Sequence, residues 1–192
     1  MRAARGVRTD VAEMRRTRTS VAMSNDTISF LNIEIEKGEL AVIVGPTGSG
    51  KSSILSAILG EMSITKGSIS LGGKIAYLAQ EPWLRHASLK DNIIMNLPYD
   101  AKRYNEVIDV CCLSHDLEIL TNGDETLIGY SGSTLSGGQM ARISLARAVY
   151  ADADIYLLDD PLSGVDAKVR FDLYNKCICN FLSNKTRILV TH

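Results

Sequence analysis

The string GPTGSGKSS, residues 45–53, follows the apolar run LAVIV, residues 40–44, with nothing between them. It fits G-x-x-x-x-G-K-[ST] through Gly45, Gly50, Lys51 and Ser52. No other feature restricts the fold so tightly. A glycine-rich loop that leaves a buried strand and enters a helix converges backbone N–H groups on one point. The helix N-terminus adds positive potential there. Such a cradle suits phosphate oxygens. On this reading Pro46, Thr47, Gly48 and Ser49 supply the wrapping backbone. Lys51 reaches the β and γ phosphates, and the Ser52 hydroxyl ligates Mg2+. Ser53 is either a second polar contact or a residue facing along the helix. Chance produces such a match in roughly one chain in a hundred and fifty of this length, and strand before with helix after argues further against chance.

The rest of the sequence agrees with a strand–loop–helix core. Three more apolar runs, IAYLA (75–79), IYLL (155–158) and ILVT (188–191), read as buried strands. Their near-continuous apolar character predicts a parallel sheet covered on both faces. Helical character at 52–60, roughly 101–113, 139–150 and 167–182 fills the gaps, which gives an α/β fold. ISFLNIEIEKGE, residues 28–39, alternates with period two and predicts a half-exposed antiparallel ribbon. The runs stop at Gly45, at Gln80, at Asp159 and Asp160, and at His192. Open α/β sheets bind ligands at the carboxyl ends of their strands, so four such stops predict one composite site. Asp159, at the end of a buried strand beside the phosphate loop, is the second metal ligand.

Composition sets the frame. The 192 residues suffice for one domain with a core, and 45% apolar with 22% charged residues is ordinary for a globular chain. The net charge of −1 selects no partner. Residues 1–22 carry six arginines against Asp10 and Glu13, and read as a basic linker or the product of an arbitrary cut, with an Arg-rich targeting peptide as the rival. No run approaches the ~18 apolar residues of a membrane helix. Cys111, Cys112, Cys177 and Cys179 have neither zinc spacing nor useful disulfide spacing, and read as reduced thiols.

A second string, TLSGGQMARISLARAVY at 134–150, opens a helix with Ser136, Gly137 and Gly138 and continues with Met140, Ile143, Ala146 and Val149 as a packing stripe. A serine hydroxyl and free N–H groups at a helix N-terminus make another anion site. LSGGQ as a fixed string arises by chance in about one such chain in several thousand. With these motifs the sequence, over roughly 23–192, resembles the nucleotide-binding domain of ATP-binding cassette (ABC) transporters. The phosphate loop, Gln80, LSGGQ at 135–139, IYLLDD at 155–160, PLSGVD at 161–166 and His192 stand in the family's order. ELAVIVGPTGSGKSSILSAILGEM, IAYLAQEPWLRHASLKDNIIM and ARAVYADADIYLLDDPLSGVDA look like the first nucleotide domain of the multidrug resistance-associated protein subfamily.

The resemblance implies a P-loop NTPase of ABC ATPase type, with a mainly parallel core sheet, an N-terminal antiparallel β subdomain and a helical subdomain at about 85–147. It implies ATP and Mg2+ as ligands, a second nucleotide-binding domain as head-to-tail partner, transmembrane domains of the same transporter, and no nucleic acid. The place implied is the cytosolic face of a membrane. Leu135, Ser136, Gly137, Gly138 and Gln139 would complete the partner's ATP site. Gln80 would sense Mg2+ and the attacking water, His192 would contact the γ phosphate, and Asp166 would lie at the dimer seam. From the residues alone Asp166 reads equally as a helix N-cap.

Several positions depart from the family. Asp160 stands where the catalytic glutamate normally does. Losing one methylene withdraws the carboxylate by roughly 1.5 Å, and a misplacement near 1 Å can cost about a hundredfold in rate. This predicts a site that holds Mg-ATP and hydrolyses it slowly, unless an extra water bridges the gap. Residues 17–25, TRTSVAMSN, lack the aromatic that stacks on adenine. Met23 is the nearest stand-in, unless that segment belongs further upstream. Tyr130 and Ser131 replace a charged pair, and Met140 replaces a basic residue. The chain reads as a piece of a larger transporter. An exporter's ATP-binding domain is the leading expectation. A regulatory nucleotide-binding module of an ABC-family channel is the alternative, and a soluble cassette ATPase is disfavoured by QEPWLRHASLKDNI after Gln80.

Overall fold

A computed structural model describes residues 31–128 and 135–192. The basic segment 1–22, Met23, residues 28–30 of the expected ribbon, and Tyr130 with Ser131 lie outside the described residues. Four strands form one wholly parallel sheet: β1 Leu40–Val44, β2 Ile75–Leu78, β5 Ile155–Asp159 and β6 Thr186–Thr191, in the order β1-β6-β5-β2. Register pairs Val44 with Thr191, Asp159 with Val190, and Leu78 with Leu158. Parallel strands in this register end along one edge. Gly45, Gln80, Asp160 and His192 therefore share that edge, as the sequence pattern requires.

The period-two geometry of the strands divides their side chains between two cores. From β5, Tyr156 and Leu158 enter the larger core, and Ile155 and Leu157 the smaller one. From β6, Leu189 joins the larger core, and Ile188 and Val190 the smaller. Both strands are covered on both faces, which explains their unbroken apolar sequence. The smaller core is closed by Leu55 of helix α1, Lys51–Ile58. The larger core is closed by helices α2 Leu89–Ile94, α3 Ala101–Val110 and α5 Gly137–Tyr150. It is completed by α6 Ala167–Asp172, which continues as a π-helix over Leu173–Phe181. Helix α4, Ser114–Ile119, packs Leu117 on its edge.

The expected stripe on α5 is a broader buried surface. Ile143, Ala146 and Val149 are buried, and so are Ser144, Leu145, Ala148 and Tyr150, because the sheet and α2 and α3 enclose the helix from Ile143 onward. Arg103 of α3 caps its far end, donating from Nε to Tyr150 O at 3.0 Å and from Nη2 to Val149 O at 2.8 Å.

Some expectations are corrected. Residues 31–39 carry no strand, and Leu31 and Ile33 are exposed. Alternation supplies an apolar face but not a partner strand, and no segment among the described residues pairs with this one. The antiparallel pairing present joins β3 Ala87–Ser88 to β4 Leu127–Ile128. The helix expected to 113 stops at Val110, where Cys111 and Cys112 turn the chain and Cys112 takes φ +55°. No helix among the described residues is long and apolar enough to cross a membrane.

Candidate functional site

The phosphate loop is shaped as its glycines demand. Gly48 and Gly50 take φ +78° and +86°, a region costly to other residues. At Gly45 a Cβ would sit 2.9 Å from Ser49 Oγ. Gly50 caps α1 without any side-chain hydrogen bond, so the first N–H groups of α1 have no side-chain partner. Lys51 is buried, yet none of the ion pairs among the described residues includes it. Its Nζ donates to Gly45 O at 2.7 Å and Pro46 O at 3.0 Å, and lies 3.3 Å from His192 Nδ1. With Nδ1 accepting from the ammonium, the ring proton is assigned to Nε2, which faces Asp160 Oδ2 at 3.7 Å.

A cavity of about 270 Å3 is lined by Thr47, Gly48, Gly50, Lys51, Ser52, Ser53, Gln80, Asp159, Val190 and His192. Asp159 is 3% exposed and no hydrogen bond or ion pair among the described residues reaches its carboxylate. A buried ammonium and a buried carboxylate thus border one cavity, each without a counter-ion. That arrangement fits an anion and a cation arriving together. No group of three or more His, Cys, Asp or Glu side chains able to hold a metal occurs among the described residues. Mg2+, which binds through one or two protein oxygens plus substrate phosphates, matches Ser52 and Asp159 here.

Asp160 does not line this cavity. It lines a neighbouring one of about 180 Å3, with Gln80, Gly137, Ser144 and Gly164. Its backbone is in the left-handed region at φ +49°. Its N–H donates to Val190 O at 2.9 Å, and its carbonyl accepts from Ser163 N and Ser163 Oγ. Gln80 borders both cavities.

At the start of α5, Ser136 and Gln139 form a reciprocal cap. Ser136 Oγ accepts from Gln139 N at 3.2 Å, and Gln139 Oε1 accepts from Ser136 N at 2.8 Å. Gln139 Nε2 donates to Asp116 Oδ1 at 3.0 Å, and Arg142 Nη2 to Asp116 Oδ2 at 2.6 Å. Ser136 and Gly137 are exposed, and Leu135 is half-buried. Gly138 is needed because a Cβ there would stand 3.1 Å from Gly164 O. Asp166 caps α6, its Oδ1 accepting from Lys168 N and Val169 N.

None of residues 135–139 lines the phosphate-loop cavity. The first core-edge site thus brings together the loop, Gln80, Asp159 and His192, with Asp160 beside it in an adjoining cavity that Gly137 of the second helix terminus also lines.

Sequence reasoning missed the link between these regions. Arg147 of α5 donates to Asn92 O at 2.7 Å, to Asn92 Oδ1 at 3.1 Å and to Trp83 O at 3.0 Å, with its guanidinium 4.0 Å from the Trp83 ring centroid. Fully buried Asn92 also bonds Arg85 N, Arg85 O and Ser88 O. Burial, then the Arg85 charge, pull the Arg147 guanidinium down to about 10, still charged at neutral pH. The segment after Gln80 is therefore pinned to the LSGGQ helix. Asp116 was missed for the same reason: a single polar residue carries no local pattern.

Residues 28–163 match the family described as ABC transporter, more than half of the chain. The chain belongs to the ABC transporter family. Among its relatives, ATP-binding cassette sub-family C member 4 of Homo sapiens is 52% identical over 171 residues, which is 89% of this chain and 13% of that protein. The probable multidrug resistance-associated protein lethal(2)03659 of Drosophila melanogaster is 48% identical over 166 residues, 86% of this chain and 12% of that protein. Multidrug resistance protein mrp-7 of Caenorhabditis elegans is 49% identical over 173 residues, 89% of this chain and 11% of that protein. The chain thus spans about one eighth of the relatives it matches. Within the ABC family it is a sub-family C ATP-binding domain of the P-loop ATPase type.

Proposed function

We propose that this chain is the ATP-binding domain of a membrane exporter, formed by residues 23–192 with a helical subdomain at about 85–147. Its own site holds Mg-ATP and turns it over slowly, and its LSGGQ terminus completes the ATP site of a second, head-to-tail nucleotide domain. The observation that carries this is the separation of the two anion-receptive helix termini. None of residues 135–139 lines the phosphate-loop cavity, and only Gly137 among them lines the adjoining one, which supports an anion carried by another molecule at exposed Ser136.

At its own site, Lys51 leaves the carbonyls of Gly45 and Pro46 and takes the β and γ phosphates. The uncapped N–H groups of α1 receive the same anion. Ser52 and Asp159 hold Mg2+, which neutralises charge developing on the phosphates. His192 contacts the γ phosphate, and Gln80 orients water near the metal. Asp160, the carboxylate that follows the metal ligand, is the base and faces the adjoining cavity. Its short side chain and its place outside the phosphate cavity support slow hydrolysis. The domain acts at the cytosolic face of a membrane, and the pinned segment after Gln80 carries changes at the site toward the transmembrane domains.

The test is Mg-ATP binding by the chain, followed by ATP turnover when a competent second nucleotide domain is added. Lys51→Ala must abolish binding at the chain's own site, and Ser136→Ala must impair turnover contributed by the partner. Binding that survives Lys51→Ala, or turnover indifferent to Ser136→Ala, contradicts the proposal.

A further inference from the structure

We infer that Asp116 is a positioning residue for the LSGGQ terminus: through Gln139 it sets the Ser136 hydroxyl to donate toward an anion outside the chain. This rests on the reading that α5 serves a partner's nucleotide.

Asp116 lies on α4, away from every motif, and its side chain is nearly buried. An ionised carboxylate only accepts hydrogen bonds. Its Oδ1 therefore fixes which end of the Gln139 amide faces it, namely Nε2 at 3.0 Å. The amide oxygen is thereby turned to the backbone N–H of Ser136 at 2.8 Å, and with the Ser136 backbone so held, Ser136 Oγ receives the backbone N–H of Gln139 at 3.2 Å. A serine hydroxyl has one proton and two acceptor sites. With an acceptor site occupied by Gln139 N–H, the proton remains for donation, and among the described residues it has no acceptor. Ser136 is exposed, so that proton faces solvent or a docked anion.

A bare carboxylate this close to an anion site would repel phosphate. Here Asp116 Oδ2 is met by Arg142 Nη2 at 2.6 Å, with both side chains about one-tenth exposed. The pair is close to neutral seen from outside, so orientation is gained without repulsion. Gly138 lies beside the same Arg142, whose Nη1 would be 3.6 Å from a Cβ there.

The experiment measures KM and kcat for ATP in the intact transporter carrying this domain, for Asp116→Asn, Gln139→Ala, the double variant and Ser136→Ala. The expected result is a KM roughly fivefold to tenfold higher for Asp116→Asn with kcat little changed, since a bond made equally in ground and transition states alters KM alone. In the Gln139→Ala background Asp116→Asn adds nothing, because both act through one amide. Mg-ATP affinity at the chain's own phosphate loop stays unchanged.

If Ser136→Ala raises KM and Asp116→Asn does not, the inference fails while the partner-site reading stands. If Ser136→Ala has no effect either, that reading fails and the inference with it. Additive effects of Asp116→Asn and Gln139→Ala overturn it too, as does an equal loss of affinity at the chain's own loop, which marks a merely structural pair. Should Asp116→Asn not accumulate folded, Asp116→Glu keeps the charge against Arg142 but moves the acceptor by one methylene. KM must rise there as well, and an unchanged KM overturns the inference.

Discussion

The helices beginning at Lys51 and at Gly137 both carry glycine at their entrance, yet they are finished differently. The first is entered through a left-handed Gly50 and has no side-chain cap. Its lysine is folded onto loop carbonyls, a set of bonds that phosphate replaces on the proposed function. The second is capped before anything arrives: Ser136 and Gln139 hold each other, Asp116 holds Gln139, and Gly138 is packed against Gly164. On the proposed function, one terminus rearranges around a ligand of its own chain and the other meets a ligand bound elsewhere. The difference teaches that two similar sequence signals, glycines at a helix entrance, can be finished in opposite ways.

The largest expected effect separates the two termini outright. Lys51→Ala removes two charge-assisted bonds to phosphate, worth about 3 kcal/mol or more together, so Mg-ATP affinity falls at least a hundredfold. Because Lys51 has no carboxylate partner, Tm without nucleotide stays close to native. Calorimetric titration and thermal melting check the two halves.

Next comes the link between the regions. Arg147→Ala strips three hydrogen bonds and the Trp83 stack, at a cost of about 2–4 kcal/mol in denaturant unfolding. Arg147→Lys does not restore it, because an ammonium lacks the planar fork that meets Asn92 and Trp83 together. Hydrogen exchange should show the segment from Glu81 to Asn92 loosening first.

Rigidity of the second terminus is tested at Gly138. Gly138→Ala presses a methyl against Gly164 O and costs about 1–3 kcal/mol. Smaller still are the caps. Ser136→Ala and Asp166→Ala each cost about 1 kcal/mol, and neither changes Mg-ATP affinity at the phosphate loop. Equal sensitivity of that loop to Ser136→Ala breaks the comparison, since it makes the two termini one site.

Much of this was legible in the sequence because the sheet is parallel and doubly covered. β5 and β6 are buried on both faces, so their apolar runs stand out, and each polar stop marks a strand end. The phosphate loop is legible because its glycines answer a backbone need that few other residues meet. Helices α2 and α4 were not legible: at six residues each they hold too few turns to show a period. Residues 31–39 misled because alternation reports a face and not a partner. Asp116, Asn92 and Arg147 escaped because their roles depend on side chains distant in sequence. The left-handed backbone at Asp160 also escaped, although aspartate tolerates that region better than glutamate does. This gives the short side chain a local conformational benefit beside the catalytic cost proposed for it.

The central claim concerns that residue. The most direct test is the Mg-ATP turnover rate of the native chain beside Asp160→Glu, at a concentration where sedimentation shows association and with nucleotide saturating. Glutamate restores the missing methylene, so turnover should rise roughly tenfold to a hundredfold, with a slightly lower Tm from the strained backbone. Brisk turnover by the native chain, or an Asp160→Glu variant that binds and associates but is no faster, contradicts the account of a site built mainly to hold ATP.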